Sequence, residues 1–105
     1  MKDKHDIREL IKTVAKEYFP EAEVMLFGSR SRNSASPDSD YDILIVTDKQ
    51  LSSEDKIYYR TIIRKELLKE GIRSDILIQS KKDIENKKRL PGHIIRNIFK
   101  EAIML

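Results

Sequence analysis

Residues 22–47 read AEVMLFGSRSRNSASPDSDYDILIVT, and this stretch decides the fold. It opens with a short apolar run, residues 22–27, that ends at Gly28. Residues 33–39 (NSASPDS) are turn chemistry, rich in Ser, Asn, Pro and Asp. Residues 40–47 (DYDILIVT) are β-branched and apolar on both faces, which predicts a central, buried strand. Asp40 and Asp42 stand two apart at the start of that strand. Side chains at i and i+2 share one face, so the spacing sets the two carboxylates roughly 6.5 Å apart along the strand. Leu44 and Val46 continue the same face, and Tyr41 points to the other, where it reads as a packing residue.

Two like charges at the head of an apolar strand repel, and one is pushed toward protonation. A divalent cation relieves that repulsion, and hard carboxylate oxygens select magnesium or manganese. A third acid, Asp75, lies in the apolar run of residues 72–79 (IRSDILIQ), which predicts another strand. If the two strands are neighbours, Asp75 faces the same site. Three carboxylates can hold two metal ions about 3.5–4 Å apart, which suits phosphoryl-type transfer. Gly28 and Ser29 supply a turn at which backbone N–H groups approach a phosphate, and Arg30 and Arg32 follow with charges that pair with phosphate oxygens.

Each part has a plainer reading. A strand ending in Gly-Ser is common. Asp40 and Asp42 alone could be turn and cap residues beside Pro37 and Ser39. Asp75 alone could be a strand-entry residue paired with Arg73, and Arg30 and Arg32 alone read as surface residues. The joint spacing carries the argument, because a strand precedes it, an apolar strand follows it, and the third acid lies on another apolar strand.

The rest of the chain alternates helix and strand, an α/β (α+β) pattern with helices packed against a small mixed sheet. Residues 4–18 place Ile7, Leu10, Ile11, Val14, Ala15 and Tyr18 at helical spacing, and Pro20 closes the helix. Ser52 or Ser53 caps a helix running to about Glu70, with Tyr59, Ile63 and Leu67 on one face and Gly71 as its stop. Ser80 with Asp83 caps a lysine-rich helix to about Arg89. Pro91 starts a last helix, 92–104, whose stripe is Ile95, Ile98, Phe99, Ala102 and Ile103. A fourth short strand is expected within 86–93.

The chain has 105 residues, the size of one domain, 1–105. It contains no cysteine, which excludes disulfides, thiol catalysis and thiolate metal sites. No apolar run approaches the roughly 20 residues that span a bilayer, and Met1 to Leu10 has no apolar signal core, so no membrane association and a cytoplasmic location are expected. The formal charge of +3, with 37% charged residues, tolerates phosphate ligands but falls short of a nucleic-acid-binding signature. The cluster Lys81, Lys82, Lys87, Lys88 and Arg89 has no interleaved aromatic residue, so it reads as a solvated helix face, and whether it lies near a triphosphate stays open.

The segment LFGSRSRNSASPDSDYDILIV resembles the signature of minimal nucleotidyltransferases of the DNA-polymerase-beta-like superfamily. The resemblance covers residues 22–79. It implies a polymerase-beta-like nucleotidyltransferase fold, with Gly28 and Ser29 on the phosphate-binding turn, Asp40 and Asp42 as the metal pair, and Asp75 as the acid that activates the attacking hydroxyl. Arg30 and Arg32 match the family's Gly-Ser-Arg-x-Arg variant, although Asn33 stands where glycine often follows. The implied activity is magnesium-dependent transfer of a nucleoside monophosphate, by default AMP from ATP, to a hydroxyl. Small members of this type are often paired with a helical HEPN toxin as its antitoxin, in some cases adding AMP to a tyrosine. Two other readings stay open. One is transfer to a small molecule such as an aminoglycoside. The other is a non-catalytic antitoxin that docks through the apolar stripe of the last helix. A homodimer also stays open.

Overall fold

The computed structural model of the chain describes residues 4–28, 40–89 and 94–105. In chain order the elements are α1 (Lys4–Tyr18), β1 (Glu23–Phe27), β2 (Tyr41–Thr47), α2 (Ser53–Lys69), β3 (Ser74–Ser80), α3 (Lys81–Lys88), α4 (Ile94–Glu101) and β4 (Ile103–Met104). Helix boundaries follow from local chemistry. Ser52 Oγ accepts from Asp55 N at 3.1 Å and caps α2. At its other end Gly71 N donates to Leu68 O and Ile72 N to Leu67 O, both at 2.9 Å. That pattern needs a left-handed residue at its turn, and Gly71, at φ +77°, supplies it. Ser80 and Asp83 form the expected capping box at the head of α3.

The sheet runs in the order β3-β2-β1-β4. β2 and β3 are parallel, joined through α2, whereas β1 is antiparallel to both β2 and β4. β2 is thus covered on both edges and both faces, as its continuous apolar run requires: Ile43, Leu44 and Ile45 are fully buried. Burying each such side chain contributes about 1.5–3 kcal/mol. Odd-numbered positions of β2 face α1 and α2, and Tyr41 joins Ile43 and Ile45 in a core with Ile11, Ile63 and Leu67. Even-numbered positions face α3 and α4, where Leu44 and Val46 pack with Met25, Ile84, Ile95 and Ile98. Asp42 heads this second face.

Two expectations are corrected at the C-terminal end. Residues 86–88 lie in α3 and residues 90–93 lie outside the described residues, while the fourth strand of the described sheet is Ile103–Met104, within what reads as the last turns of a helix. Helical bonding stops at Ala102 N→Ile98 O, 2.8 Å; Leu105 N then donates to Val24 O at 2.9 Å while Ile103 and Met104 pair with Leu26 and Met25. The tail exchanges helical bonds for a ladder along β1, whose edge groups would otherwise lack partners. Pro91 and His93 lie outside the described residues, as does the side chain of Phe99. Among the described residues, no helix is long and apolar enough to cross a membrane.

Candidate active site

The register of the sheet gathers the predicted residues at one end. Parallel pairing sets Asp42 of β2 beside Asp75 of β3, on the same face. Antiparallel pairing sets Phe27, the last residue of β1, on the other side of Asp42, so Gly28 emerges next to that carboxylate. Gly28 has φ +69°, a conformation that L side chains rarely adopt, and a Cβ added there would overlap Asp42 Oδ2. Backbone geometry and close approach both demand glycine at this point. Ser29, Arg30 and Arg32, expected to continue the phosphate turn, lie outside the described residues.

Asp40 stands differently from its expected place within the strand. It precedes the first residue of β2, is exposed, and its Oδ1 lies 3.5 Å from Arg73 Nε. The strand entries are pinned together by Tyr41 N donating to Arg73 O at 2.9 Å. The plainer reading of Arg73 as the partner of Asp75 therefore gives way to an Arg73–Asp40 pair. Both side chains are more than half exposed, so the pair is weak and can open at little cost. Among the described residues, no three metal-ligating side chains are gathered closely enough to hold an ion.

The electrostatics single out Asp42. Burial first, and then the negative charges of Asp75 and Asp40, push its carboxyl above the ordinary carboxylate range. A half-buried carboxylate in the field of two other acids is short of positive charge. A hard divalent cation supplies that charge, so the chemistry of Asp42 and Asp75 fits one, with Asp40 available once it leaves Arg73.

The lysine-rich helix is tied down elsewhere. Lys81 Nζ lies 2.8 Å from Asp48 Oδ1, beyond the far end of β2, and Lys87 Nζ donates to Gln79 Oε1. Two residues of the last helix's apolar stripe are core, Ile95 at 1% exposed and Ile98 at 6%, while Ala102 and Ile103 are partly buried.

One feature of the site was missed by sequence reasoning. A groove of about 420 Å³ opens from Asp75 and Ile76 along α2, lined by Arg60, Arg64, Lys65 and Leu68. Its signal was present in the spacing: Arg60, Arg64 and Leu68 recur at i, i+4 and i+8, on a flank beside the buried Ile63 and Leu67 stripe. A second cavity of about 460 Å³, bounded by Phe19, Leu51 and Tyr59, opens at the opposite end of the sheet, away from the acids.

Comparison with known proteins identifies the family and the fold. The family model for the nucleotidyltransferase domain matches residues 7–105. Among solved structures, a protein designated a minimal nucleotidyltransferase superposes with a TM-score of 0.65 and 24% identity, over 99% of this chain and 97% of its own. A protein from Sulfolobus solfataricus designated a nucleotidyltransferase gives 0.55 and 26%, over 92% and 73%. The complex of a tri-AMPylated HEPN toxin from Shewanella oneidensis with an MNT antitoxin gives 0.59 and 14%, over 93% and 67%. No curated protein sequence matches. The chain belongs to the nucleotidyltransferase domain family, and its fold is the polymerase-beta-like one that the minimal nucleotidyltransferases share.

Proposed function

We propose that this nucleotidyltransferase transfers AMP from ATP to a hydroxyl on a partner protein, a tyrosine of a helical HEPN toxin, and acts as its antitoxin. The observation that carries the reading is the side-by-side setting of Asp42 and Asp75, with Gly28 folded against Asp42. The likeness of the fold to a complex that holds an AMPylated HEPN toxin supports the choice of nucleotide and partner. The family match over residues 7–105 supports reading 1–105 as one nucleotidyltransferase domain, and the proposed site of action is the cytoplasm.

In this mechanism Asp40, Asp42 and Asp75 would hold magnesium, or manganese in its place, as one ion or two. When bound, the metal neutralises phosphate charge and makes the acceptor hydroxyl more acidic. Gly28 lets the backbone close on the triphosphate, and Ser29 adds a hydroxyl donor. Arg30 and Arg32 pair with phosphate oxygens. Asp75 takes the proton of the acceptor hydroxyl. That oxygen attacks the α-phosphorus, the bond to the β-phosphate oxygen breaks, and pyrophosphate leaves. Protein positioning and charge neutralisation supply most of what such a transfer requires.

The test is incubation of the chain with α-phosphate-labelled ATP, magnesium and protein from the source cell. Label in a protease-sensitive band, identified by mass as a helical partner modified on tyrosine, supports the reading. Label confined to small molecules contradicts the protein acceptor, and no transfer from any nucleoside triphosphate contradicts the activity.

A further inference from the structure

The groove beside Asp75 has a composition that the transfer reaction alone does not require. Three cations line it, Arg60, Arg64 and Lys65, and none of them has an ion-pair partner among the described residues. Arg60 and Arg64 are one helical turn apart, where like charges oppose helix formation. The opposite flank of α2 is satisfied internally, for Glu66 Oε1 accepts from Tyr18 OH of α1 at 2.5 Å. The charge left unneutralised therefore lies on the flank of α2 that borders Asp75 and Ile76 at the edge of the sheet.

Position separates this groove from the triphosphate. Gly28 flanks Asp42 from β1, whereas the groove opens from Asp75 on β3, the outer strand of the sheet. β2 stands between them. An occupant of the groove reaches the site from the side of the acid that receives the acceptor's proton.

The groove is also partly apolar. Leu68 is 55% exposed on its wall, and Ile57, on the same flank of α2, is 54% exposed. None of the lining residues is aromatic, so bases find no stacking surface. Arginine interleaved with exposed aliphatic side chains suits a protein surface.

We infer that this groove docks an acidic, leucine-type segment of the protein acceptor, adjacent in that protein to the hydroxyl that is modified. The inference rests on the reading of Asp75 as the acid on the acceptor side. Carboxylates of the segment pair with Arg60 and Arg64, and its apolar side chains cover Leu68. Asp75 repels the same carboxylates, so the end of the groove nearest the site is left to an uncharged hydroxyl. Recognition by charge along the groove and exclusion of charge at its head together set which hydroxyl is presented.

The test uses the full chain with magnesium and a non-hydrolysable ATP analogue. Three fluorescent probes are titrated: a tyrosine peptide rich in Glu and Leu, the same peptide with Lys for Glu, and a single-stranded RNA of the acidic peptide's net charge. The acidic peptide is expected to bind at least about tenfold more tightly than the lysine peptide. Arg60→Glu/Arg64→Glu is expected to reverse that preference, and Arg64→Gln, whose fold is the safer, to weaken acidic binding by a smaller factor. Unchanged affinity for the ATP analogue shows that the variants are folded. Acidic-peptide binding that both variants leave unaltered overturns the proposal, and so does RNA binding that exceeds peptide binding and depends on the same arginines. Transfer is read separately with ATP. Arginine-dependent peptide binding without any transfer keeps the docking groove and rejects the nucleotidyl-transfer reading.

Discussion

Asp42 and Asp75 are register partners on adjacent parallel strands, so the sheet itself, and not a loop, sets the two carboxylates side by side. The arrangement costs stability. Burial and the neighbouring acids raise the Asp42 carboxyl above its ordinary range, which means that its ionised form is disfavoured in the folded protein.

Replacing Asp42 by Asn is therefore expected to stabilise the protein while abolishing transfer. The carboxylate is half open to water, so screening limits the gain to a rise in Tm of about 2–5 °C. Magnesium at millimolar concentration is expected to raise the Tm of the natural protein and to leave that of the variant unmoved. Thermal denaturation with and without the ion measures both. Equal magnesium shifts in the two proteins would remove Asp42 from the metal site.

Gly28→Ala places a methyl group on Asp42 Oδ2 and forces a left-handed backbone on an L residue. The expected loss is about 1–3 kcal/mol of stability, together with activity. Denaturant unfolding checks the first. The comparison is Gly71→Ala, where φ is also positive but no atom lies within 4 Å of the added Cβ, so only the backbone strain applies.

Asp83 supports the edge of the sheet from below. Burial pushes its carboxyl up, but hydrogen bonds from the Ser80 backbone and side chain and from Lys56 outweigh this and hold it down at about 2. A carboxyl depressed in the folded state contributes stability above its unfolded value of about 3.9. That contribution is lost as pH falls toward 2. Asp83→Ala is expected to cost about 1–2 kcal/mol at neutral pH, in the range of a lost cap. The difference from the natural protein is expected to shrink between about pH 4 and pH 2. Urea unfolding across that range would contradict the assignment if the difference stayed constant.

Under the proposed mechanism Arg73, which meets Asp40 at 3.5 Å, would compete with the metal for that carboxylate. Arg73→Ala is expected to lower the magnesium concentration needed for half-maximal transfer by a few-fold. The pair is exposed, so its loss is expected to change stability by less than about 0.5 kcal/mol. A higher magnesium requirement in the variant would show that Arg73 assists the site.

The strands that build the site were legible because their signals are local. The run Ile43–Leu44–Ile45 announces a strand buried on both faces, and Ser80 with Asp83 announces a helix start. The Asp42–Asp75 pairing was conditional in the sequence, since strand adjacency is a tertiary fact. β4 is illegible for the same reason: Ile103 continues a helical stripe, and it and Met104 become strand only through their pairing with β1. The sequence pairs Arg73 with Asp75 by proximity alone, but Arg73 lies just before β3 and its guanidinium meets Asp40 across the strand entries. The cationic groove is illegible in the sequence because Arg60 and Arg64 flank the buried Ile63 and Leu67 stripe at the spacing of any solvated helix face, and only the packing of α2 beside β3 brings them near Asp75.

The most direct test of the central claim is the rate of AMP transfer from α-phosphate-labelled ATP by Asp42→Asn and Asp75→Asn, each against the natural protein and against Asp48→Asn as a control at the far end of β2. Loss of about a thousandfold or more in both variants, with the control unchanged, is the expected result, on the scale of removing a group that stabilises charge in the transition state. Transfer that survives in either variant within about tenfold would contradict the account.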